Sequence, residues 1–403
     1  MWDKKFYQMS LKERFDFLSL SEKSRQILEN SSLDSEIANH LIENQISAIE
    51  LPLGVCFINV DGKDYRVPMA TEEPSVIAAA NNGARIAETF RILENEHLMS
   101  GQIVFYEVQN TSKLINEIDE LQADIFNMAQ SSYPSIYKRG GGLIDFKCES
   151  YETWVSVDFT FDTKDAMGAN MINTMLEAIA NLFRNRFPDE KILFAILSNE
   201  NCHCHTTVET RIPLSNIGAE IAQKIAIASD YAQIDPARAA THNKGIMNGV
   251  EAIVLATGND SRSINAAIYA RSNHKGLSSW SIENDQLIGK ITLSIPIATA
   301  GGATHILPKA KVANELLNNP DAKSLASIIA AVGLANNLAA LKALVGPGIQ
   351  QGHMALQARS LALSVAAKGQ EVDQLTEALK KAPHMNTETA QSLLDRIRKS
   401  SIH

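Results

Sequence analysis

One segment limits the fold most: Asp165-Ala166-Met167-Gly168-Ala169-Asn170, which opens a helical pattern that runs through Leu182. Small residues at a helix start allow backbone N–H groups to approach a ligand closely, and the helix dipole there favours an anion. We therefore predict that this segment holds the pyrophosphate of a dinucleotide. The segment lacks the G-x-G-x-x-G fingerprint, so the sequence does not indicate a standard Rossmann fold.

The pattern around this segment alternates between strands and helices in a defined order. The predicted elements are a strand at Ile103–Val108, a helix from Ser112 to about Met128, strands at Leu143–Glu149 and Trp154–Phe161, the helix already described, and a strand at Lys191–Leu197. A β-α-β-β-α-β order within about 100 residues is typical of a ferredoxin-like unit. We predict that this unit is a small domain inserted into a larger one.

The rest of the chain mixes helical and strand patterns. The predicted elements are helices over Leu11–Gln45 with a break at Asn30-Ser31-Ser32, a hairpin at Gly54–Val60 and Tyr65–Val67 with the turn Asp61-Gly62, a helix from Pro74 to about Phe90, helices at Ile217–Ala232 and around Asn248, strands at Ile253–Ala256 and Ile291–Pro296, helices over Ser324–Ala367, and two short helices after Gly369 broken at Pro383. The fold class predicted from this order is α+β.

Length and charge exclude several classes of protein. A chain of 403 residues exceeds one ordinary core, so two or three domains are expected. No continuous apolar run reaches the roughly 18–20 residues of a membrane span, and the N-terminus lacks the apolar core of a signal peptide, so we expect a soluble, cytoplasmic protein. A net charge of −9 argues against nucleic acid as a partner. Four cysteines form no disulfide framework in a chain of this length.

Two polar segments carry groups suited to charge stabilisation. Lys244 lies among polar residues, just before a predicted helical pattern, and its ammonium group could stabilise a developing alkoxide. The alternative is a solvated surface lysine. Asp260 follows the predicted strand Ile253–Ala256, where polar residues often line a crevice, and it could pair with a cation. The alternative there is an Asx-type turn.

Two further residues could transfer protons. Glu73 precedes the predicted helix start at Pro74-Ser75, where the helix dipole would lower the pKa of a carboxyl group, whereas a general acid at neutral pH needs that pKa raised. Burial or proton sharing would have to reconcile the two. His353 begins a helix behind the flexible segment Gly348–Gly352 and could donate a proton, although a structural role is the alternative.

The segment Cys202-His203-Cys204-His205 invites a metal interpretation. Alternate residues of a strand point to opposite faces, so at most one Cys pair or one His pair converges. Four-coordinate zinc sites draw ligand pairs from two segments, and no second such pair is present. We predict a polar strand edge and no metal.

Seven strings occur in the same order as in bacterial-type (class II) HMG-CoA reductases, which the chain resembles from about Leu41 to Arg396. They are MATEEPSVIAA, YPSIYKRGGG, DTKDAMGANMINTMLEA, RAATHNKGIMNG, VLATGND, GGATHILP and GIQQGHMALQARSLAL. The resemblance implies reduction of HMG-CoA to mevalonate and free CoA by two nicotinamide hydrides. The reverse oxidation of mevalonate and a non-reducing thioesterase or lyase are the alternatives.

The resemblance also implies roles for individual residues. Glu73 would donate and accept protons, Lys244 would hold the substrate oxyanion, Asp260 would orient Lys244, and His353 would protonate the departing CoA thiolate. The residues that would hold the hydroxymethylglutaryl group are Ser75, Arg238, Asn248 and Asn337. The cofactor would contact Asp145, Asp165, Ala166, Met167, Gly168, Ala169, Asn170 and Asn199.

The implied architecture is a large domain of residues 1–100 and 200–350, a cofactor domain of residues 101–199 and a mobile C-terminal flap of residues 351–403. The chain would form a homodimer with the active site at its interface. Three positions depart from the family pattern: Asn336 replaces glutamine, Ser261 replaces tryptophan, and Ile46-Ser47 replaces an isoleucine–glycine pair.

The choice of cofactor depends on charge near the glycine triplet at residues 140–142. Asp145 could bond a ribose hydroxyl and repel a 2′-phosphate, which favours NADH. Lys147, Lys138 and Arg139 could instead receive that phosphate. Because several cations converge here, we favour NADPH over NADH.

Overall fold

The computed structural model describes residues 5–29, 33–43, 46–201, 203–346 and 349–400. The side chains of residues 7, 35, 39, 40, 349–356 and 400 fall outside this description.

The N-terminal part is helical, as predicted. A 3₁₀ turn at Phe6–Gln8 precedes α1 (Leu11–Phe17), α2 (Glu22–Glu29) and α3 (Ser35–Leu41). Ser10 starts α1 with a capping box, because its hydroxyl accepts from the Glu13 N–H while the Glu13 carboxylate accepts from the Ser10 N–H. The predicted break at residues 30–32 lies outside the described residues.

The predicted hairpin consists of β1 (Leu53–Val60) and β2 (Lys63–Ala70), which pair antiparallel. Asp61 and Gly62 connect the strands with φ angles of 49° and 77°. Positive φ at both positions is what a two-residue type I′ turn requires, so this local signal predicted the connection correctly.

The helix after the hairpin, α4 (Val76–Ala87), starts later than predicted. Pro74 does not occupy its first position, because Ser75 adopts a left-handed conformation with φ 74°. The helix also ends at Ala87, before Phe90. Gly83 lets α4 approach the core helix closely: a Cβ there would lie 1.9 Å from the carbonyl oxygen of Ala335.

A four-stranded antiparallel sheet contains segments that are far apart in sequence. Its strands are β3 (Arg91–His97), β8 (Cys204–Pro213), β9 (Ser278–Glu283) and β10 (Gln286–Leu293), in the order β3-β8-β10-β9. Sequence patterns missed β3, β9 and most of β8, since these strands carry charged or hydroxyl residues in place of clear apolar alternation. The predicted strand at residues 291–296 is the end of β10 and stops at Leu293.

The second sheet has the predicted β-α-β-β-α-β order, except that three helices replace the single helix predicted between its first two strands. Its elements are β4 (Met99–Tyr106), α5 (Thr111–Glu120), α6 (Gln122–Ser132), α7 (Pro134–Tyr137), β5 (Gly142–Tyr151), β6 (Trp154–Asp162), α8 (Ala169–Arg186) and β7 (Lys191–Ser198). The strand order is β5-β6-β4-β7, and all neighbours are antiparallel. Its hydrophobic core draws buried residues only from Met99 to Phe183, which makes it separate from the core of the larger sheet.

Helices fill the remainder of the large core. They are α9 (Leu214–Ile217), α10 (Ala219–Ile234), α11 (Pro236–Ala256), α12 (Ser261–Ser272), α13 (Ala303–Ile306), α14 (Pro308–Leu316) and α15 (Ala322–Val345). The predicted strand at Ile253–Ala256 is wrong, because these residues form the last turn of α11. A short apolar run does not by itself distinguish a buried helix from a strand, even where turn residues follow it closely.

The core helix α15 has every residue from Leu325 to Ala339 buried. By length and composition this helix could cross a membrane, whereas the sequence analysis found no apolar run long enough. However, 72% of its most apolar 18-residue stretch is buried inside the fold. Burial of this kind is typical of the central helix of a folded domain.

The C-terminal helices α16 (Ile349–Ser364), α17 (Gln370–Lys380) and α18 (Thr387–Ser400) have a small hydrophobic core of their own. The ion pairs Arg359–Asp373 and Arg398–Glu371 connect helices within this unit. The predicted break at Pro383 is confirmed, since it separates α17 from α18.

Candidate active site

Lys244 and Glu73, which are 171 positions apart, form an ion pair with 2.7 Å between Nζ and Oε2. Lys244 projects from the middle of α11, not from a loop before a helix as predicted, and Glu73 lies in the turn that precedes α4. Their side chains are 60% and 46% exposed, so both remain open to a ligand. The pair places a cation and a proton-accepting carboxylate at one point of the surface.

Ser75 lies two residues after Glu73 in a strained backbone conformation. Its φ of 74° is in the left-handed region, which residues other than glycine adopt rarely. Its hydroxyl donates to the carbonyl oxygen of Pro74. Such strain persists only where the surrounding structure imposes it, and it is common at functional sites.

Asp260 caps α12 and does not pair with Lys244 in this structure. Its carboxylate accepts from the N–H groups of Arg262 and Ser263 and from the Arg262 Nε at 3.1 Å. Burial raises the pKa of Asp260, but the hydrogen bonds from Arg262 and Ser263 outweigh it and lower that pKa overall. Asp260 follows the end of α11 through a short turn, not a strand, so the Asx-type turn was the correct local interpretation.

Asn199 connects the small sheet to the start of α12. It follows β7, and its Oδ1 accepts from the Ser263 Oγ at 2.9 Å. Ser263 also donates its N–H to Asp260. Asn199, Asp260 and Ser263 therefore lie together between the end of β7 and the start of α12. The predicted cofactor residue Asn199 and the predicted catalytic residue Asp260 are therefore neighbours.

The predicted substrate residues range from exposed, at Ser75, to fully buried, at Asn337. Arg238 and Asn248 lie on α11 and are half-buried. Asn337 is only 1% exposed, and its Oδ1 accepts from Ser278 Oγ at 2.8 Å and Trp280 Nε1 at 2.7 Å. The structure thus places the amide of Asn337 in an internal network.

Sequence reasoning missed two other buried polar residues near this network, His242 and Asn243. His242 is 1% exposed and lies 2.7 Å from Ser278 Oγ through its Nε2. Asn243 accepts from the Leu277 N–H and donates to the Lys275 carbonyl oxygen, which ties α11 to the segment before β9. The available signal was the position of two polar residues directly beside Lys244 on the apolar side of a helix.

Gly168 provides the backbone geometry at the start of α8. Its φ is 79°, and a Cβ there would lie 2.5 Å from the Thr163 side chain. Gly168, at the N-cap of α8, has no side chain that could cap the first turn, and the N–H groups of such a turn can bind an anion. Met167 and Ala169 flank this glycine, and Asn170 lies in the first turn of the helix.

Asp165 and Ala166 have structural contacts that sequence reasoning did not predict. The Asp165 carbonyl oxygen accepts from the N–H groups of Thr299 and Ala300, and its carboxylate accepts from the Ala322 N–H at 2.9 Å. Ala166 forms a β-bridge with Ala300. These contacts join the segment before α8 to the first turn of α15.

Asp145 lies on the face of the small sheet opposite its helices, in a cavity of about 290 Å³. Lys147, two residues further on β5, forms an ion pair with Glu149 at 2.6 Å. The predicted anion and cation for cofactor discrimination are therefore on the same face of one strand. Lys138 and Arg139 lie at the exposed end of α7, before β5.

The predicted polar strand edge at residues 202–205 is wrong for residues 204 and 205, which begin the inner strand β8 and pair with β3, and Cys202 lies outside the described residues. Cys204 is buried with its Sγ 3.5 Å from His97 Nδ1, and burial raises the pKa of its thiol to about 12. His205 lies beside Glu94 and Glu96. Within the described part of the chain, no group of three His, Cys, Asp or Glu residues could hold a metal ion.

His353 belongs to α16, and its side chain lies outside the described residues. Its predicted role therefore remains a prediction.

Comparison with known proteins identifies relatives over most of the chain. The family described as hydroxymethylglutaryl-coenzyme A reductase matches residues 10–358. The 3-hydroxy-3-methylglutaryl-coenzyme A reductase of Archaeoglobus fulgidus is 37% identical over 98% of this chain and 94% of its own. A probable reductase of the same name from Borreliella burgdorferi is 30% identical over 88% of this chain and 87% of its own.

Solved structures show the same likeness. A 3-hydroxy-3-methylglutaryl-coenzyme A reductase from Streptococcus pneumoniae matches with a TM-score of 0.84 and 40% identity, covering 99% of this chain and 100% of its own. A class II reductase from the same organism, bound to NADPH in open conformations, matches with a TM-score of 0.81 and 40% identity over 97% of this chain and 100% of its own.

The fold and these likenesses define the class first: the chain is an oxidoreductase with mixed helices and sheets. More particularly, it belongs to the hydroxymethylglutaryl-coenzyme A reductase family.

Proposed function

We propose that this protein reduces the thioester of (S)-HMG-CoA to (R)-mevalonate and free CoA with two reduced nicotinamide dinucleotides, through mevaldyl-CoA and mevaldehyde. The observation that carries the proposal is the ion pair of Lys244 and Glu73, which joins two distant motifs at 2.7 Å. A thioester oxygen placed against this pair would meet a cation where negative charge develops and a carboxyl group able to move a proton.

The residues of the chain have separate tasks in this reaction. A bound reduced nicotinamide supplies a hydride to the carbonyl carbon, first of the thioester and then of the aldehyde. Lys244 stabilises the negative charge that develops on the carbonyl oxygen, and Glu73 supplies the proton that oxygen takes up. Glu73 then takes the proton back from the hydroxyl of mevaldyl-CoA, so that the carbonyl of mevaldehyde forms as the C–S bond breaks, and CoA leaves as a thiolate, which His353 protonates. Asp260 would leave Arg262 and orient Lys244 when the site is filled.

The substrate would be held by charge and shape on α11 and the turn before α4. The Arg238 fork suits the terminal carboxylate of the hydroxymethylglutaryl group. Ser75 and Asn248 would bond its other oxygens. Asn337 is buried and its amide oxygen is already hydrogen-bonded to Ser278 and Trp280, so it would support this surface from inside the fold.

The N-terminus of α8 fits the pyrophosphate of the cofactor. The supporting observations are that the N-cap residue Gly168 has no side chain to cap the first turn, and that its φ of 79° suits glycine. Asp145, Asn199 and the residues from Asp165 to Asn170 would surround the rest of the dinucleotide, with Asp165 acting through its contacts to α15. No metal is required by this scheme.

We favour NADPH over NADH because Lys147, Lys138 and Arg139 lie near Asp145. The ratio of kcat/KM for the two cofactors tests this preference directly. Asp145→Ala should shift that ratio toward NADPH, since it removes an anion that would repel the 2′-phosphate. An unchanged ratio would show that Asp145 does not discriminate.

The separate hydrophobic cores support three domains: residues 1–100 and 200–350, residues 101–199, and a flap of residues 351–403. Ile46 and Ile49 are each 96% exposed next to Leu51, which supports a homodimer that buries this segment with the active site at its interface. The same proposal places the protein in the cytoplasm, with no membrane or nucleic acid as a partner. Sedimentation of the chain and of Ile49→Asp tests the dimer, since the variant should be monomeric.

Absorbance at the reduced-nicotinamide band tests the reaction itself. We expect loss of absorbance only when HMG-CoA is added, with two cofactors oxidised for each CoA thiol released. Release of CoA without nicotinamide would indicate a thioesterase or lyase, and no change at all would indicate a binding protein. Oxidation of mevalonate with CoA present would show how readily the reaction runs in reverse.

His353 is tested by changing the substrate. His353→Gln should slow thioester reduction by about 10²-fold or more, while reduction of free mevaldehyde, which releases no thiolate, should be nearly unaffected. Equal losses on both substrates would contradict thiolate protonation.

A further inference from the structure

The buried face of α11 carries a chain of hydrogen bonds whose directions can be assigned. Trp280 Nε1 is a donor only, and it lies 2.7 Å from Asn337 Oδ1, which fixes that atom as an acceptor. Ser278 Oγ donates its single hydrogen to the same oxygen at 2.8 Å. Ser278 must then accept from His242 Nε2, which is 2.7 Å away.

This assignment determines the tautomer of His242. A neutral imidazole carries one hydrogen, so a protonated Nε2 leaves Nδ1 as an acceptor with a free lone pair. With a hydrogen on Nε2, Asn337 Nδ2, which is a donor only and lies 3.2 Å away, makes no hydrogen bond to that nitrogen, so the direction rests on the two shorter bonds. Burial, and then the positive charge of Arg238, lower the pKa of His242 to about 4, so the ring is neutral at physiological pH.

Arg238 lies one helical turn before His242, on the same side of α11. Its Nε is buried and has no hydrogen-bond partner in the described part of the chain, and the same holds for His242 Nδ1. One atom is a donor and the other an acceptor. Buried polar atoms of this kind are nearly always paired in a working state of a protein.

We propose that the Arg238 Nε–H donates to His242 Nδ1, directly or through one buried water, when the outer N–H groups of Arg238 bind the substrate carboxylate. His242 is then a positioning residue that fixes the direction of the Arg238 fork. This inference rests on the proposed function, because it takes Arg238 as the carboxylate-binding group.

His242→Gln separates the proposed bond of Nδ1 to Arg238 from the bond of Nε2 to Ser278. The glutamine amide nitrogen replaces Nε2 and keeps the bond to Ser278, but nothing replaces the Nδ1 acceptor. Loss of a hydrogen bond to a charged group should raise KM for HMG-CoA about tenfold, with a smaller change in kcat and no change in KM for the cofactor. Trp280→Phe is the matched control, because it removes one hydrogen bond from the far end of the same network. It should lower the melting temperature similarly and leave KM within about twofold.

A double-mutant cycle with Arg238→Lys distinguishes the possible failures. Lysine has no Nε–H, so His242→Gln should raise KM in the Arg238→Lys background by less than about twofold. If Arg238→Lys raises KM but His242→Gln does not, the positioning role is wrong and the proposed function stands. If Arg238→Lys leaves KM unchanged, Arg238 does not bind the carboxylate and that part of the proposed function fails.

Two measurements keep the proposal testable if His242→Gln does not fold. His242→Asn places an amide oxygen near the position of Nδ1 and should keep KM near that of the unmodified protein, whereas a tenfold rise would overturn the proposal. In the unmodified protein, the ¹⁵N resonance of His242 Nδ1 should move toward the hydrogen-bonded range when HMG-CoA is added. A resonance that does not move would also overturn it.

Discussion

In the proposed reaction, the start of α8 and the middle of α11 would bind their ligands by different means. At α8 the backbone would be the binding group, and Gly168 is needed because a side chain would collide with Thr163. At α11 the side chains would act, and Lys244 and Arg238 lie on a helix whose other face is buried. Substitutions at α8 should therefore act through shape and those at α11 through charge.

The largest expected effect is at Lys244. Lys244→Ala should lower kcat by about 10²- to 10³-fold or more, because it removes the cation from the developing oxyanion, while cofactor binding is retained. Steady-state rates and fluorescence titration with NADPH measure the two effects. Lys224→Ala, which removes an exposed lysine paired with Glu220, is the control and should be fully active. Normal turnover by Lys244→Ala would contradict the assignment.

The second effect concerns the backbone at α8. Gly168→Ala should raise KM for NADPH by about tenfold or more and cost roughly 1–3 kcal/mol of stability, since it combines a left-handed alanine with a collision. Gly62→Ala is the matched control: its φ is 77°, close to that of Gly168, but no atom lies within 4 Å of the added Cβ. It should cost stability alone. If both variants raise KM for NADPH equally, shape at α8 is not the cause.

The connection between the two regions should give a smaller effect. Asp165→Ala removes the acceptor of the Ala322 N–H and should cost about 1 kcal/mol of stability and raise KM for NADPH several-fold. Asp321→Ala removes the side-chain cap of the same helix, α15, without touching the segment before α8. It should match the loss of stability and leave KM unchanged. Equal KM values for the two variants would show that Asp165 only stabilises α15.

The last effect concerns stability alone, with no change in catalysis, and appears on acidification. In the unfolded chain His242 titrates near its ordinary pKa of 6.5, but in the fold that pKa is about 4, so the unfolded state binds more protons between these values. Stability is therefore complete above about pH 6.5 and falls by up to about 3 kcal/mol as the pH approaches 4. Urea unfolding of the protein and of His242→Gln measures this, and the variant should lose less. Identical pH slopes would contradict a neutral buried histidine.

The same comparison shows what sequence could predict. The small sheet, the Gly168 helix start and the Asp61-Gly62 turn were predicted correctly because each depends on local conformation and periodicity. The edge strands β3 and β9 were missed, since their pairing with distant strands is not encoded in their own alternation. The run at Ile253–Ala256 is apolar on its own, and only the packing of α11 against α15 makes it helical.

For the candidate site, too, local motifs identified individual residues but not the contacts between them. The motifs marked Glu73 and Lys244 as candidates, but their separation of 171 positions hid the ion pair. The contacts of Asp165 with Ala322 and of Asp260 with Arg262 are set by tertiary packing. His242 and Asn337 were not predicted as one network, because only the fold brings α11, β9 and α15 together.

A crystal structure with HMG-CoA and NADP⁺ bound together tests the central claim most directly, because the oxidised cofactor cannot react with the thioester. We expect Lys244 Nζ within about 3 Å of the thioester oxygen, with the nicotinamide ring beside the carbonyl carbon and the pyrophosphate at the start of α8. A filled site in which Lys244 points into solvent, away from the thioester, would contradict it.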